Sequence, residues 1–202
     1  MIEIGAPDAQ TTAIVLHGLG ASSADLEPLA RELHARGLEF RYCLPDAPLR
    51  AVTINNGYVM PAWYDIRGAD FARERAAAGL DESRAIMDAL IDRGRETGKV
   101  VLIGFSQGAV LALHTALKRP GDVLAVAALS GYLPPDDYAA QRLRVFQSHG
   151  IYDDIIPIAA ARASHDALHE LGCEIEWREY ALGHHLSEEV IDDLAQWLRR
   201  LG

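Results

Sequence analysis

Gly104-Phe105-Ser106-Gln107-Gly108 lies between Lys99-Val100-Val101-Leu102-Ile103 and Ala109-Val110-Leu111-Ala112-Leu113-His114-Thr115-Ala116-Leu117. The first flank is the apolar, β-branched run of a strand buried on both faces. The second is a run of strong helix formers. The pentapeptide alone is weak, since at ordinary glycine and serine usage roughly one chain in fifteen of this length contains it by chance. Its flanks give it meaning: strand, sharp turn and helix place a serine at the tip of a nucleophile elbow. The two glycines let strand and helix approach closely at that turn. The plainer alternative is a buried strand-to-helix turn with a capping serine.

Outward from this point, the 202 residues suit one domain over 1–202 with a sizeable core, and 50% of them are apolar. A formal net charge of -10 argues against nucleic acid. Lys99 and Lys118 are the only lysines, so no cationic patch for a membrane surface is expected. No apolar run reaches the roughly 18 residues of a spanning helix. Met1-Ile2-Glu3-Ile4-Gly5 lacks the basic and apolar regions of a secretory signal. Cys43 and Cys173 have neither zinc nor redox spacing and read as two buried thiols. A cytoplasmic location is the resulting expectation.

In chain order, strands are expected at Thr12–Leu16, Phe40–Leu44, Lys99–Ile103, Val123–Leu129, Arg144–Ser148 and, alternating like an edge, Glu174–Tyr180. Helices are expected over 25–36, from Leu80 to Thr97 with Ile86, Leu90 and Ile91 inward, after the elbow, from Pro157 to about Leu171, and from the Ser187 N-cap to Leu201. This alternation predicts a mostly parallel α/β sheet with helices on both faces. Ligands then bind beyond the carboxyl ends of the strands. Residues 45–79 break the alternation as a long apolar loop. Asn56-Gly57 suggests a short hairpin there, between Val52-Thr53-Ile54 and Tyr58-Val59-Met60. The segment reads either as a structural flap or as a wall of a substrate site, with Trp63 and Met60 the candidate contacts.

A serine hydroxyl needs a base, and the base needs an orienting acid. His149 through Pro157 follows one strand and contains Asp153 and Asp154, while Gly183-His184-His185 follows the next. The order Ser, Asp, His is that of the α/β-hydrolase fold. Residue chemistry leaves Asp153 against Asp154 open, and likewise His184 against His185. No third ligand makes the histidine pair a metal site, so no metal or other cofactor is expected. His17 and His149 read as backbone hydrogen-bonding residues. Acyl transfer also needs donors for an oxyanion. The Gln107 N–H is one candidate, and the Leu19 N–H in His17-Gly18-Leu19-Gly20 is the other, unless that glycine turn has no such duty.

In these motifs the chain resembles the small carboxylesterases related to acyl-protein thioesterases and lysophospholipases. The resemblance runs through His17–Gly20, Pro45-Asp46-Ala47-Pro48, Val52-Thr53-Ile54-Asn55, Met60-Pro61-Ala62-Trp63-Tyr64-Asp65-Ile66, Gly104–Gly108, Leu129-Ser130-Gly131-Tyr132-Leu133-Pro134 and His149–Pro157. It implies an α/β-hydrolase fold, and 202 residues are expected to leave no room for a large cap domain. It also implies Ser106 as nucleophile, Asp153 as acid, His184 as base, oxyanion donors at Leu19 and Gln107, and Trp63 beside the bound substrate; Met60 and Leu19 are the other expected substrate contacts. The chain departs from many relatives at Ala21-Ser22-Ser23-Ala24, at Ala109 and at a shortened Gly98-Lys99.

The expected activity is a serine carboxylesterase that hydrolyses small-molecule acyl esters of short to medium chain through an acyl-enzyme. The alternatives are acyl-protein thioesterase or lysophospholipase activity and, remotely, a non-catalytic ligand-binding protein of the same fold. Relatives suggest a monomer or a homodimer, with no nucleic-acid partner and no integral membrane association.

Overall fold

The Lys99 run is a strand because its alternate side chains enter two different apolar layers. Val100 and Leu102 enter one, Val101 and Ile103 the other. The computed structural model describes residues 1–68 and 79–201. The described elements, in chain order, are β1 (Ile2–Ile4), β2 (Thr11–Leu16), α1 (Ser23–Ala35), β3 (Arg41–Leu44), β4 (Leu49–Val52), β5 (Tyr58–Pro61), α2 (Leu80–Arg95), β6 (Lys99–Phe105), α3 (Gln107–Lys118), β7 (Ala125–Leu129), β8 (Arg144–Gly150), α4 (Ile158–Glu170), β9 (Glu174–Tyr180) and α5 (Glu188–Arg199).

Seven strands form one sheet in the order β1-β3-β2-β6-β7-β8-β9. All neighbours are parallel except β1, which pairs antiparallel with β3. Side chains of α2, α3 and α4 cover one face, and those of α1 and α5 the other. The elbow strand β6 therefore runs through the middle of the sheet, and β9 is an edge as its alternation predicts. The strand β1 was not apparent in the sequence, because three residues are too few for a periodic signal.

Three local expectations need correction. Ile86 points outward, while Leu80, Met87 and Ile91 carry the buried stripe of α2. The hairpin pairs Val52 with Tyr58, so its first strand is Leu49–Val52 rather than 52–54. Thr53–Asn55 turn into a short 3-10 helix, and Asn56 and Gly57 then supply the left-handed conformations that reverse the chain. Asp65 stabilises that turn by accepting from the Thr53 N–H at 2.7 Å and the Thr53 hydroxyl at 2.8 Å. The hairpin also buries less than its composition suggests, since Ile54, Tyr58 and Val59 remain exposed. Residues 69–78 of the long loop expected over 45–79 lie outside the described residues.

Both cysteines are buried and free. No described helix is long and apolar enough to cross a membrane.

Candidate active site

Ser106 stands between β6 and α3 with φ 55° and ψ -120°, a conformation that an L-residue enters only under strain. Close packing around the turn imposes it. A Cβ on Gly108 would lie 2.2 Å from the Leu16 carbonyl oxygen, and one on Gly104 would lie 2.3 Å from that of Gly108. Only glycine fits at either place, so the pentapeptide is a steric requirement of this turn.

Two loops from the same end of the sheet converge on the serine. His184 Nε2 is 2.8 Å from Ser106 Oγ, and His184 Nδ1 is 2.7 Å from Asp153 Oδ2. The Asp153 side chain is fully buried. Its other oxygen accepts from the Ile155 and Ile156 N–H groups, each at 2.9 Å. The carboxylate thus orients the imidazole with Nδ1 protonated, which leaves Nε2 to accept from the hydroxyl. The Phe105 ring packs against the His184 ring, centroids 5.0 Å apart.

The acid loop is fastened to the histidine loop by Ile151 N–H to Tyr180 O and Tyr152 N–H to Leu182 O, both 2.9 Å. Gly150 allows this approach, because a Cβ there would lie 2.3 Å from the Leu182 carbonyl. Asp154 stays exposed, and His185 makes no bond to the serine among the described residues.

His149 donates from Nε2 to the Ile156 carbonyl at 2.8 Å, as a backbone-bonding histidine should. It also comes within 3.3 Å of Asp153 Oδ2, a proximity the sequence did not signal. Burial pushes its pKa down. His17 is held neutral in the same way. Its Nε2 accepts from the Ala47 N–H at 3.0 Å, so Nδ1 carries the proton and donates to the Gly18 carbonyl at 2.8 Å. Burial lowers the His17 pKa, and the Gly18 bond only partly offsets it.

The loop after β2 lies against the serine: a Cβ on Gly18 would be 3.3 Å from Ser106 Cβ. Among the described residues the N–H groups of Leu19 and Gln107 have no hydrogen-bond partner. Leu19 is half-buried, and so is Met60, whose sulfur would lie 3.5 Å from a Cβ on Gly20. Met60 thus packs against the loop that follows β2.

Trp63 is completely buried, its indole N–H donates to the His17 carbonyl at 2.8 Å, and its peptide N–H donates to Gln107 Oε1 at 2.8 Å. The sequence reads Trp63 as a candidate substrate contact, and the structure encloses its ring in protein. Sequence reasoning singles out only the backbone N–H of Gln107, because nothing local to the elbow signals that its side chain accepts from the Trp63 N–H and donates to the Tyr64 carbonyl.

A separate cavity of about 520 Å³ lies between residues 132–138 and α4. It is lined chiefly by apolar groups, among them Tyr132, Leu133, Tyr138, Ala160, Ala163 and Leu171. Gly131, the residue before this lining, packs against the elbow: a Cβ there would be 3.1 Å from the Ser106 carbonyl oxygen. Among the described residues no three His, Cys, Asp or Glu side chains come together as metal ligands.

The family model described as phospholipase/carboxylesterase matches residues 1–201. An acyl-protein thioesterase 1 homologue of Dictyostelium discoideum is 34% identical over 202 residues, covering 94% of this chain and 89% of that protein. The carboxylesterase SOBER1 of Arabidopsis thaliana is 31% identical over 212 residues, covering 95% and 91%. The crystal structure of Arabidopsis thaliana SOBER1 superposes with a TM-score of 0.87 at 29% identity, covering 96% of this chain and 99% of that one.

Proposed function

The chain belongs to the phospholipase/carboxylesterase family of α/β-hydrolase-fold hydrolases, and on that premise we propose that it is a serine carboxylesterase for short- to medium-chain acyl esters, working through Ser106, His184 and Asp153. The observation that carries the reading is the unbroken hydrogen-bonded line from Asp153 Oδ2 through His184 to Ser106 Oγ, at 2.7 and 2.8 Å.

The serine oxygen attacks the ester carbonyl carbon as its proton passes to His184 Nε2. Asp153 stabilises the imidazolium that results. The carbonyl electron pair moves onto oxygen, where the Leu19 and Gln107 N–H groups receive the charge. His184 returns the proton to the departing alkoxide, leaving an acyl-Ser106. Water then repeats the sequence and releases the acid. Met60 and Leu19 line the approach of the substrate. The protein acts as a cytoplasmic enzyme, monomeric or homodimeric, with no cofactor.

Hydrolysis of longer acyl thioesters or lysophospholipids is a second reading. Two observations favour it: relatives named acyl-protein thioesterases, and the largely apolar cavity between residues 132–138 and α4.

A rate series over p-nitrophenyl esters and matched acyl thioesters of rising chain length decides between the two. Each buried methylene adds about 0.8 kcal/mol, so kcat/KM climbs about fourfold per carbon until the binding surface ends. A maximum at four to eight carbons supports the first reading, and one at fourteen to sixteen the second. Fluorophosphonate labelling of the native chain tests the chemistry itself. A covalent adduct on Ser106, absent from Ser106→Ala, is expected, and a protein that stays unlabelled would overturn the serine mechanism.

A further inference from the structure

Gln107 follows the nucleophile, is buried, and uses both ends of its side-chain amide. Its Oε1 accepts from the Trp63 peptide N–H, and its Nε2 donates to the Tyr64 carbonyl, each at 2.8 Å. Trp63 is then held at every polar atom. Ser83 Oγ donates to its carbonyl, and its indole donates to the His17 carbonyl. On the far side of the same loop, the Gly20 N–H donates to the Pro61 carbonyl at 2.8 Å. The peptide that carries the Leu19 N–H therefore lies between two points, His17 and Gly20, that are both pinned by residues 61–63. Those residues are pinned in turn by the side chain of Gln107, whose own backbone supplies the second free N–H. The loop closes on itself.

We propose that the Trp63 indole and the Gln107 side chain are positioning residues that hold the Leu19 and Gln107 N–H groups at one fixed spacing. The inference rests on the reading of those two N–H groups as oxyanion donors. Fixed donors stabilise a developing anion without reorganising when the charge appears. A displacement of even 1 Å costs about 100-fold in rate. Apolar packing alone would fill the space beneath the hairpin, but it would not fix the direction of a peptide N–H. The hydrogen bonds along Gln107, Trp63 and His17 do.

The test uses Trp63→Phe, which keeps a ring and removes the indole donor, together with Gln107→Met and the double variant. Each folded variant is expected to lose roughly 10- to 100-fold in kcat with KM within twofold. Their kcat–pH profiles should match the native one, because the Ser106–His184–Asp153 line is untouched. The double variant should lose no more than the worse single variant, since both changes break one path. Retained kcat in either folded variant, a loss confined to KM, or additive losses would overturn the proposal. Two variants are used so that failure of one to fold leaves the other to decide.

An alkyl trifluoromethyl ketone separates this result from failure of the underlying reading. Ser106 Oγ adds to the ketone carbon, its proton passes to His184, and the carbonyl oxygen becomes the anion. Tight binding to the native chain that weakens in step with kcat in the variants is expected. Tight binding that the variants retain overturns the positioning role alone. If the native chain binds the ketone no better than the matching alcohol, the oxyanion reading itself falls.

Discussion

His184 Nε2 lies 2.8 Å from Ser106 Oγ although 78 residues of chain separate them. The contact requires the loop after β9 to fold back over the carboxyl end of β6, and the acid loop to hold it there. The consequences differ sharply between neighbouring residues, which makes them easy to measure.

Asp153→Asn should lower kcat by about 10³- to 10⁴-fold, because an amide in that place favours the wrong histidine tautomer. Asp154→Asn, on an exposed side chain, should change it less than about twofold, the usual outcome for a surface change away from special features. His184→Ala should abolish turnover, whereas His185→Ala should leave most of it. Steady-state kinetics on one p-nitrophenyl ester compares all four, and equal effects within either pair would contradict the assignment.

Gly108→Ala should be severely destabilising. Its Cβ would sit 2.2 Å from a backbone oxygen that cannot rotate away. The expected loss is about 3 kcal/mol or more. Urea unfolding checks it, and a midpoint equal to the native one would mean that the elbow tolerates more movement than its geometry allows.

Acid should weaken the fold before the carboxylates titrate. Burial lowers the pKa of His17, His114 and His149, so each binds its proton less readily folded than unfolded. The unfolded chain therefore takes up protons first. Stability is fully present above the unfolded histidine value of about 6.5 and is lost as pH falls below it, toward each lower folded value. His114 lies away from the serine, so His114→Asn isolates one contribution. Between pH 7.5 and 5.5 this variant should lose about 1 kcal/mol less than the native chain. Parallel losses in chemical denaturation would rule out that histidine as a contributor.

Filling the cavity beside α4 tests whether acyl chains use it. Ala163→Phe places a ring in that space. If the cavity takes the chain, kcat/KM for esters beyond eight carbons should fall about tenfold or more, while acetate esters are unaffected. An unchanged chain-length profile would exclude the cavity as an acyl site.

Much of this was legible in the sequence because it is local. The β-branched run before Gly104, the glycines at the elbow and the helix formers after it are contiguous, and backbone sterics act over a few residues. The acid and base loops could be placed from strand ends alone. The hairpin register is not local: Thr53–Asn55 turn into a 3-10 helix, a choice stabilised by Asp65 twelve residues downstream. The hydrophobicity of Ile86 predicts an inward side chain, but the face that α2 buries is set by what lies beneath it.

By itself the sequence determined the alternating α/β pattern, the strained serine between strand and helix, and the order in which an acid and a histidine follow it. Tertiary structure decided which aspartate meets which histidine, because hydrogen bonds between two loops settle that choice and neither loop's own composition does. It also decided the place of Trp63. An aromatic residue in an apolar loop reads equally as a binding wall or as a buried brace. Tertiary structure encloses its ring and sets the His17 carbonyl at its indole N–H, contacts made by residues far from it in the chain.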